Sequence, residues 1–338
     1  MAVVTTGFFD GVHLGHRLVL ETLVSAARER GEEAVVVTFW PHPRTVLQQD
    51  ARDFRLLSSL DEKRARIVET GVDRVEVLPF NRSFAAMTAQ EYLRLLQERF
   101  GASLVVMGYD NRIGCDRQTL ADLLVGEGGS AAHCTRNPSS LRSSSLPTAL
   151  EAVGPLPFTW PRAATDSGAQ WPSEPSSDTP QAAVISSTKI RKALEAGDVE
   201  MGNAMLGYRY GLYGVVVAGN RLGRTMGFPT ANMHLYEPLK LVPGDGAYAV
   251  VAEVQERCYR GMCNIGLRPT VGGVVRTIET HLLDFDEDIY GLPLRIRFVK
   301  RLRDERRFPS MEALRSQLER DREAVRAIST AEFGIIED

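Results

Sequence analysis

Apolar positions in the first hundred residues come in short unbroken runs separated by stretches of helical period. The runs Val3–Thr6, Ala34–Phe39, Val72–Leu78 and Leu104–Met107 have strand length and little polar alternation, as expected of strands buried on both faces. Between them, Leu20, Leu23, Val24 and Ala27 share one helical face. Asp61–Thr70 reads as a charged helix that Gly71 can end, and Glu91–Phe100 places Tyr92, Leu95, Leu96 and Arg99 at helical spacing. This alternation predicts a parallel sheet with helices on both faces, in which ligands bind beyond the carboxyl ends of the strands.

A different pattern starts at Ile185. Ser186-Ser187-Thr188 supplies hydroxyl caps for a helix over Lys189–Glu195, Gly197-Asp198 ends it, and Val199–Leu206 forms another short helix. Short strands and glycine turns then dominate: Tyr213–Ala218, Ala247–Val254, Gly261–Ile265, Thr277–Leu283 and Leu294–Val299. Their spacing predicts a small antiparallel barrel. Ser310–Ala327 closes the chain as an amphipathic helix with Leu314, Leu318 and Val325 near one face. The expected domains are 1–206 and 207–338.

Residues 125–184 follow neither pattern. They contain 8 of the 17 prolines, two of the three tryptophans (Trp160 and Trp171), 10 serines and no lysine. The stretch reads as a disordered insertion or a segment foreign to the rest of the chain, and no secondary structure is expected in it.

The remaining composition narrows the function class. The chain has 338 residues, a net charge of −3, 43% apolar and 25% charged residues. That suits about two globular domains, with no basic field for nucleic acid. No apolar run suffices to span a membrane and no secretory signal is visible, so the expected compartment is the cytoplasm. The four cysteines, Cys115, Cys134, Cys258 and Cys263, form no CxxC. Neither a disulfide scaffold nor a structural zinc site is expected.

The densest chemistry lies between the first strand and the first helix: Gly7-Phe8-Phe9-Asp10-Gly11-Val12-His13-Leu14-Gly15-His16. Glycines at 11 and 15 allow close backbone approach, a helix N-terminus attracts anions, and two imidazoles can donate to phosphate oxygens. Further on, Gly219, Gly223 and Gly227 punctuate a loop that runs into Phe228-Pro229-Thr230-Ala231-Asn232. Glycines so spaced can cover phosphates, and Thr230 and Asn232 offer the neutral oxygens that Mg²⁺ accepts. No G-x-x-x-x-G-K-[ST] occurs, which excludes a P-loop kinase. Asp284, Asp286, Glu287 and Asp288 read as a solvated turn rather than a metal site.

These strings resemble the prokaryotic bifunctional riboflavin kinase/FMN adenylyltransferase (FAD synthetase) family. The GxFDGVHxGH string is similar to its first motif, Thr38–Pro43 with His42 to its TFxPHP, Gly108–Arg112 to its GxDxRFG loop, and Ile185–Arg191 to its ISSTxIR motif. Gly219–Asn232 resembles the glycine loop and PTAN of riboflavin kinases, and Asn264–Thr270 and Glu279–Phe285 agree with later kinase segments. The chain departs from the family at Phe8, often a small polar residue there, and at Ile113-Gly114 in place of Phe-Gly.

The resemblance implies an α/β nucleotidyltransferase-type domain followed by a riboflavin kinase-like barrel with a C-terminal helix. It further implies ATP-dependent conversion of riboflavin to FMN, with Glu279 as base, Thr230 and Asn232 holding Mg²⁺ with ATP, and Gly219–Gly227 covering phosphates. FMN and a second ATP would then give FAD, with His13 and His16 stabilising phosphate charge. Gly7, Phe9, Asp10, Gly11, Gly15 and His42 would complete that phosphate site. Ser186, Ser187, Thr188 and Arg191 would grip pyrophosphate, and Asp110 and Asn111 would face the flavin. Two other expectations stand beside this one: a riboflavin kinase with an impaired first half, and a non-enzymatic flavin or nucleotide sensor.

Overall fold

The computed structural model describes residues 1–47, 54–108, 111–119, 122–123, 149–153, 157–158, 183–219, 222–270 and 273–333. Asp110 and most of 125–184 lie outside these residues. Contacts divide the chain into two compact units, 1–54 with 58–187, and 55–57 with 188–338. The helix Val199–Leu206 packs on a barrel strand: the Asn203 amide donates to the Phe298 carbonyl at 2.9 Å.

The first unit is built on five parallel strands, β1 (Ala2–Thr6), β2 (Glu33–Trp40), β3 (Arg74–Pro79), β4 (Ala102–Gly108) and β5 (Ala149–Val153), in the order β3-β2-β1-β4-β5. Its helices are α1 (Leu14–Arg30), α2 (Pro43–Leu47), α3 (Leu60–Val68), α4 (Arg82–Ala85) and α5 (Ala89–Phe100). Strand periodicity sorts the core into two layers. Val3, Val36, Leu104 and Val106 pack with Val19, Leu20, Leu23 and Ala27 of α1. Val4, Val35, Val37, Val105 and Met107 pack with Tyr92, Leu93, Leu96 and Phe100 of α5. The buried stripe of α5 therefore includes Leu93 and Phe100, while Arg99 is exposed and Leu95 only partly buried.

Local signals fix where these helices begin and end. Thr88 with Glu91, and Ser59 with Glu62, form reciprocal capping boxes, and left-handed Gly31 and Gly101 end α1 and α5. Strand β5 corrects the expectation that 125–184 holds no secondary structure. Ala149–Val153 pairs in parallel with Leu104–Gly108, and a two-stranded piece joins β6 (Pro157–Phe158) to β7 (Ala183–Val184). Five residues between turn-rich stretches give too short a period to recognise, and pairing with β4 supplies the rest.

The second unit begins at Thr188, inside α6 (Ser187–Glu195), and continues with α7 (Val199–Leu206). A closed barrel follows, made of β8 (Gly211–Val217), β9 (Ala231–Leu235), β10 (Gly246–Val254), β11 (Arg257–Thr270), β12 (Gly273–Leu282) and β13 (Pro293–Asp304). The order around the barrel is β10-β11-β12-β9-β8-β13, with every neighbouring pair antiparallel. Closure removes the free sheet edges. A short helix α8 (Leu222–Thr225) precedes β9, and α9 (Met311–Ala327) and α10 (Thr330–Phe333) end the described chain. Val325 and Phe333 pack with Phe228, Ala249, Val251 and Met262. Arg303 on β13 grips Asp321 on α9, Nε to Oδ2 and Nη2 to Oδ2 both at 2.9 Å, and both side chains are largely buried.

Candidate functional site

Each unit carries a site of its own. In the first, β1 leaves the sheet through a turn whose backbone is unusual. Phe9, Gly11 and Val12 have φ of 46°, 81° and 37°. The glycine adopts this freely, whereas a β-branched valine there is strained, and such strain collects where a ligand-binding shape is needed. The turn is held from below. Asp10, 5% exposed, accepts from the Ser58 amide at 3.1 Å and the Ser58 hydroxyl at 3.3 Å, while the Gly11 amide donates to that same hydroxyl at 3.0 Å.

His13 is the N-cap of α1, its Nδ1 accepting from the His16 amide at 3.3 Å. A ring nitrogen that accepts carries no proton, so neutral His13 bears its proton on Nε2, a donor suited to a phosphate oxygen. The His16 ring stacks on His13 at 3.6 Å. Burial, then neighbouring His13, then the Lys63 ammonium push the His16 pKa well below the ordinary imidazole value, so it is neutral near pH 7. Its Nδ1 is buried without a hydrogen-bond partner. His42 likewise accepts on Nδ1, from the Arg44 amide at 3.3 Å, and lies against the rings of Phe54 and Phe8.

Gly7 and Gly15 flank the turn, and the Ser187 hydroxyl reaches it, donating to the Asp10 carbonyl at 3.1 Å. Ser186 precedes α6 in the same unit. Thr188 and Arg191 group with the second unit, where the Arg191 Nε donates to the Arg55 carbonyl at 2.9 Å.

Beside this turn lies a cavity of about 670 Å³ lined by Phe8, Phe39, Phe80, Phe84, Tyr92 and Asn111, among others. Its walls come from the carboxyl ends of the strands, where open parallel sheets bind ligands. Asn111 donates to the Thr6 carbonyl at 3.3 Å and the Thr6 hydroxyl meets the Tyr92 hydroxyl at 2.6 Å. Both departures from the family strings, Phe8 and Ile113, line this cavity. Its aromatic lining with a few polar groups suits an aromatic ligand with polar edges.

In the second unit, Glu279 on β12 is 8% exposed and stands in register with Asn232 on β9 and Asn264 on β11. Its carboxylate accepts from Thr230 Oγ1 at 3.5 Å and Thr277 Oγ1 at 3.3 Å. Two cavities meet at Thr230. One of about 310 Å³ is also lined by Arg224, Ala231, Asp286 and Tyr290. The other, of about 250 Å³, is also lined by Glu279, Asn264, Glu305 and Phe308. Gly219 is fixed by proximity, since a Cβ there would lie 2.2 Å from the Asn232 amide nitrogen. Gly223 lies within α8, and Gly227, with φ of 82°, lies in the turn after it.

Asp284, Asp286, Glu287 and Asp288 are all exposed, and the last three also wall the first cavity. Among the described residues, no group of three or more His, Cys, Asp or Glu side chains could hold a metal. The hydroxyl of Thr230, the amide oxygen of Asn232 and the nearby carboxylate are hard oxygens, a set that fits Mg²⁺ arriving with phosphates. Among the described cysteines, Cys115, Cys258 and Cys263 are free thiols, and no described helix is long and apolar enough to cross a membrane.

Sequence reasoning missed Ser58, Lys63, Phe80, Phe84 and Glu305. A signal existed for Lys63: it falls between Leu60 and Ile67 on the inward stripe of α3, where a lysine is out of place. The others reach their sites through tertiary packing and carry no local mark.

Comparison with known proteins agrees with this division. A family model for FAD synthetase matches residues 1–139 and one for riboflavin kinase matches 206–329. A bifunctional riboflavin kinase/FMN adenylyltransferase of Bacillus subtilis is 34% identical over 336 residues, covering 97% of this chain and 93% of its own length. The Escherichia coli protein of the same description is 34% identical, covering 94% and 90%. A crystal structure titled as a macrolide-efflux protein from Streptococcus pneumoniae has a TM-score of 0.80 and 30% identity, covering 97% of this chain and 95% of that one.

Proposed function

The chain belongs to the bifunctional riboflavin kinase/FMN adenylyltransferase family, and on that premise we propose how its residues divide the two reactions. It phosphorylates riboflavin to FMN with ATP and joins FMN to a second ATP to give FAD. The first reaction belongs to the barrel unit. Riboflavin occupies the cavity beneath α9 and ATP the one beside Tyr290. The γ-phosphate then meets the terminal ribityl hydroxyl at Thr230, and Glu279 takes the hydroxyl proton as the oxygen attacks the γ-phosphorus and ADP leaves. Mg²⁺ held by Thr230 and Asn232 would neutralise the phosphate oxygens. Gly219, Gly223 and Gly227 let the loop between β8 and β9 lie over those phosphates.

The second reaction belongs to the parallel-sheet unit. The flavin ring lies among Phe8, Phe39, Phe80 and Phe84, with Asn111 at its polar edge, which keeps the flavin-side role for Asn111. The FMN phosphate attacks the α-phosphate of ATP at the turn from Gly7 to His16. Backbone amides and the Nε2–H of His13 stabilise the charge that builds there, and His16 supports His13 by stacking. Ser186 and Ser187 lie near the leaving pyrophosphate. No covalent enzyme intermediate is required; positioning and electrostatics suffice.

Residues 1–206 and 207–338 are the functional domains on this reading, and the cytoplasm is the working compartment. The observation that carries the kinase assignment is Thr230, shared by two cavities with Glu279 behind it. The test is a time course with riboflavin, ATP and Mg²⁺, separating riboflavin, FMN and FAD. FMN followed by FAD supports the reading, FMN alone favours a kinase with an inert first unit, and tight binding without turnover favours a sensor.

A further inference from the structure

We propose that Lys63 is a positioning residue for FAD formation, clamping the two strand ends from which both the phosphate turn and the aromatic cavity are built. This rests on the reading of the first unit as the FMN adenylyltransferase. The Lys63 ammonium donates to the Phe8 carbonyl and to the Phe39 carbonyl, each at 3.2 Å. These carbonyls lie at or just beyond the carboxyl ends of neighbouring parallel strands: Phe8 follows β1 and Phe39 lies in β2. Phe8 is the last residue before the left-handed turn, and its ring stands 5.0 Å from that of Phe39 in the cavity wall. One side chain therefore fixes the position of the phosphate turn relative to the flavin rings, the distance on which in-line attack depends.

The environment favours a working charge over a packing role. Lys63 is 4% exposed, on a helix stripe that a leucine or methionine would fill at lower cost. The charged and titratable groups facing it are Asp10, which favours its charge, and His16, whose own protonation it opposes; the Trp40 ring lies 5.8 Å from its Nζ. Burial outweighs Asp10 and lowers the Lys63 pKa to about 8. Above that pH the ammonium becomes an amine, its two hydrogen bonds lose their charge assistance, and positive charge is lost beside a turn that receives triphosphate.

The test uses the full chain, measuring FAD formation from supplied FMN and FMN formation from riboflavin in parallel, between pH 6.5 and 9.5. Lys63→Met should lower kcat/KM for FAD formation by at least about tenfold, chiefly through KM for FMN, while riboflavin phosphorylation stays within about twofold. In the unsubstituted chain, kcat/KM for FAD formation should fall above about pH 8, and in Lys63→Arg that fall should move to higher pH because guanidinium stays protonated. A Lys63→Met chain with unchanged kcat/KM, or a Lys63→Arg chain with the fall at the same pH, overturns the proposal. Thermal melting monitors folding. Should Lys63→Met unfold the first unit, the unsubstituted profile decides alone, since a level kcat/KM to pH 9.5 also overturns it. An unsubstituted chain that makes no FAD at any pH would instead defeat the adenylyltransferase reading itself.

Discussion

The two sites are built by opposite means. In the first unit the chemistry sits on a turn with three left-handed residues, secured by groups distant in sequence: Ser58 under Asp10 and Gly11, and Lys63 under Phe8. In the barrel, Glu279, Asn232 and Asn264 stand on adjacent strands, placed by hydrogen-bond register. A ladder positions side chains as a consequence of folding, whereas a turn needs separate supports, each a place where the site can be loosened. The difference teaches that the same kind of phosphate chemistry can rest on a register in one region and on individual clamps in the other.

The largest expected effect tests the barrel side. Glu279→Gln removes the proton acceptor but keeps the hydrogen-bonding shape, and FMN formation should fall by about 10²–10⁴-fold. FAD formation from supplied FMN should be unchanged. Next is the turn: His13→Ala removes both the cap of α1 and the Nε2 donor, and FAD formation should fall by about 10²–10³-fold while FMN formation persists.

Smaller effects fall on stability. Asp321→Ala leaves Arg303 without the partner that ties α9 to β13. It should destabilise the barrel unit by about 3 kcal/mol, read by denaturant unfolding. Because α9 residues line the cavity proposed for riboflavin, KM for riboflavin should rise as well. Smallest is Ser59→Ala, which breaks one capping box on α3 and should cost the first unit about 1 kcal/mol. If KM for FMN rises with it, α3 transmits its disorder through Lys63. If KM is unchanged, the clamp tolerates a frayed helix end.

Much of the fold was legible because its periods were strong. The apolar runs of β1, β2 and β4, the stripe of α1, and the helix Val199–Leu206 all follow from local pattern. In α5 the inward stripe runs through Tyr92, Leu93, Leu96 and Phe100, whereas Leu95 and Arg99 lie a fraction of a turn away and fit helical spacing with Tyr92 and Leu96 equally well. Strand β9 went unseen since its residues, Ala-Asn-Met-His-Leu, carry no strand signature; pairing with β8 and β12 makes it a strand. Strand β5 is short and stands among turn-formers, so only its partner β4 reveals it.

The sites follow the same rule. Motif strings located the Gly7–His16 turn and Glu279, where chemistry is concentrated in sequence. The supports Ser58 and Lys63, and the ring wall of Phe80 and Phe84, come from other elements and meet the site only after folding. Lys63 alone left a trace, as a charge on an apolar stripe.

On the proposed reading, two separate residue sets carry two successive reactions, and this division is the point most open to test. It is tested most directly by giving Glu279→Gln and His13→Ala chains riboflavin or FMN with ATP and Mg²⁺, and quantifying flavins over time. Glu279→Gln should make FAD from FMN at the unsubstituted rate but scarcely phosphorylate riboflavin, and His13→Ala should accumulate FMN without FAD. If either substitution removes both activities in a folded chain, or neither, the claim is contradicted.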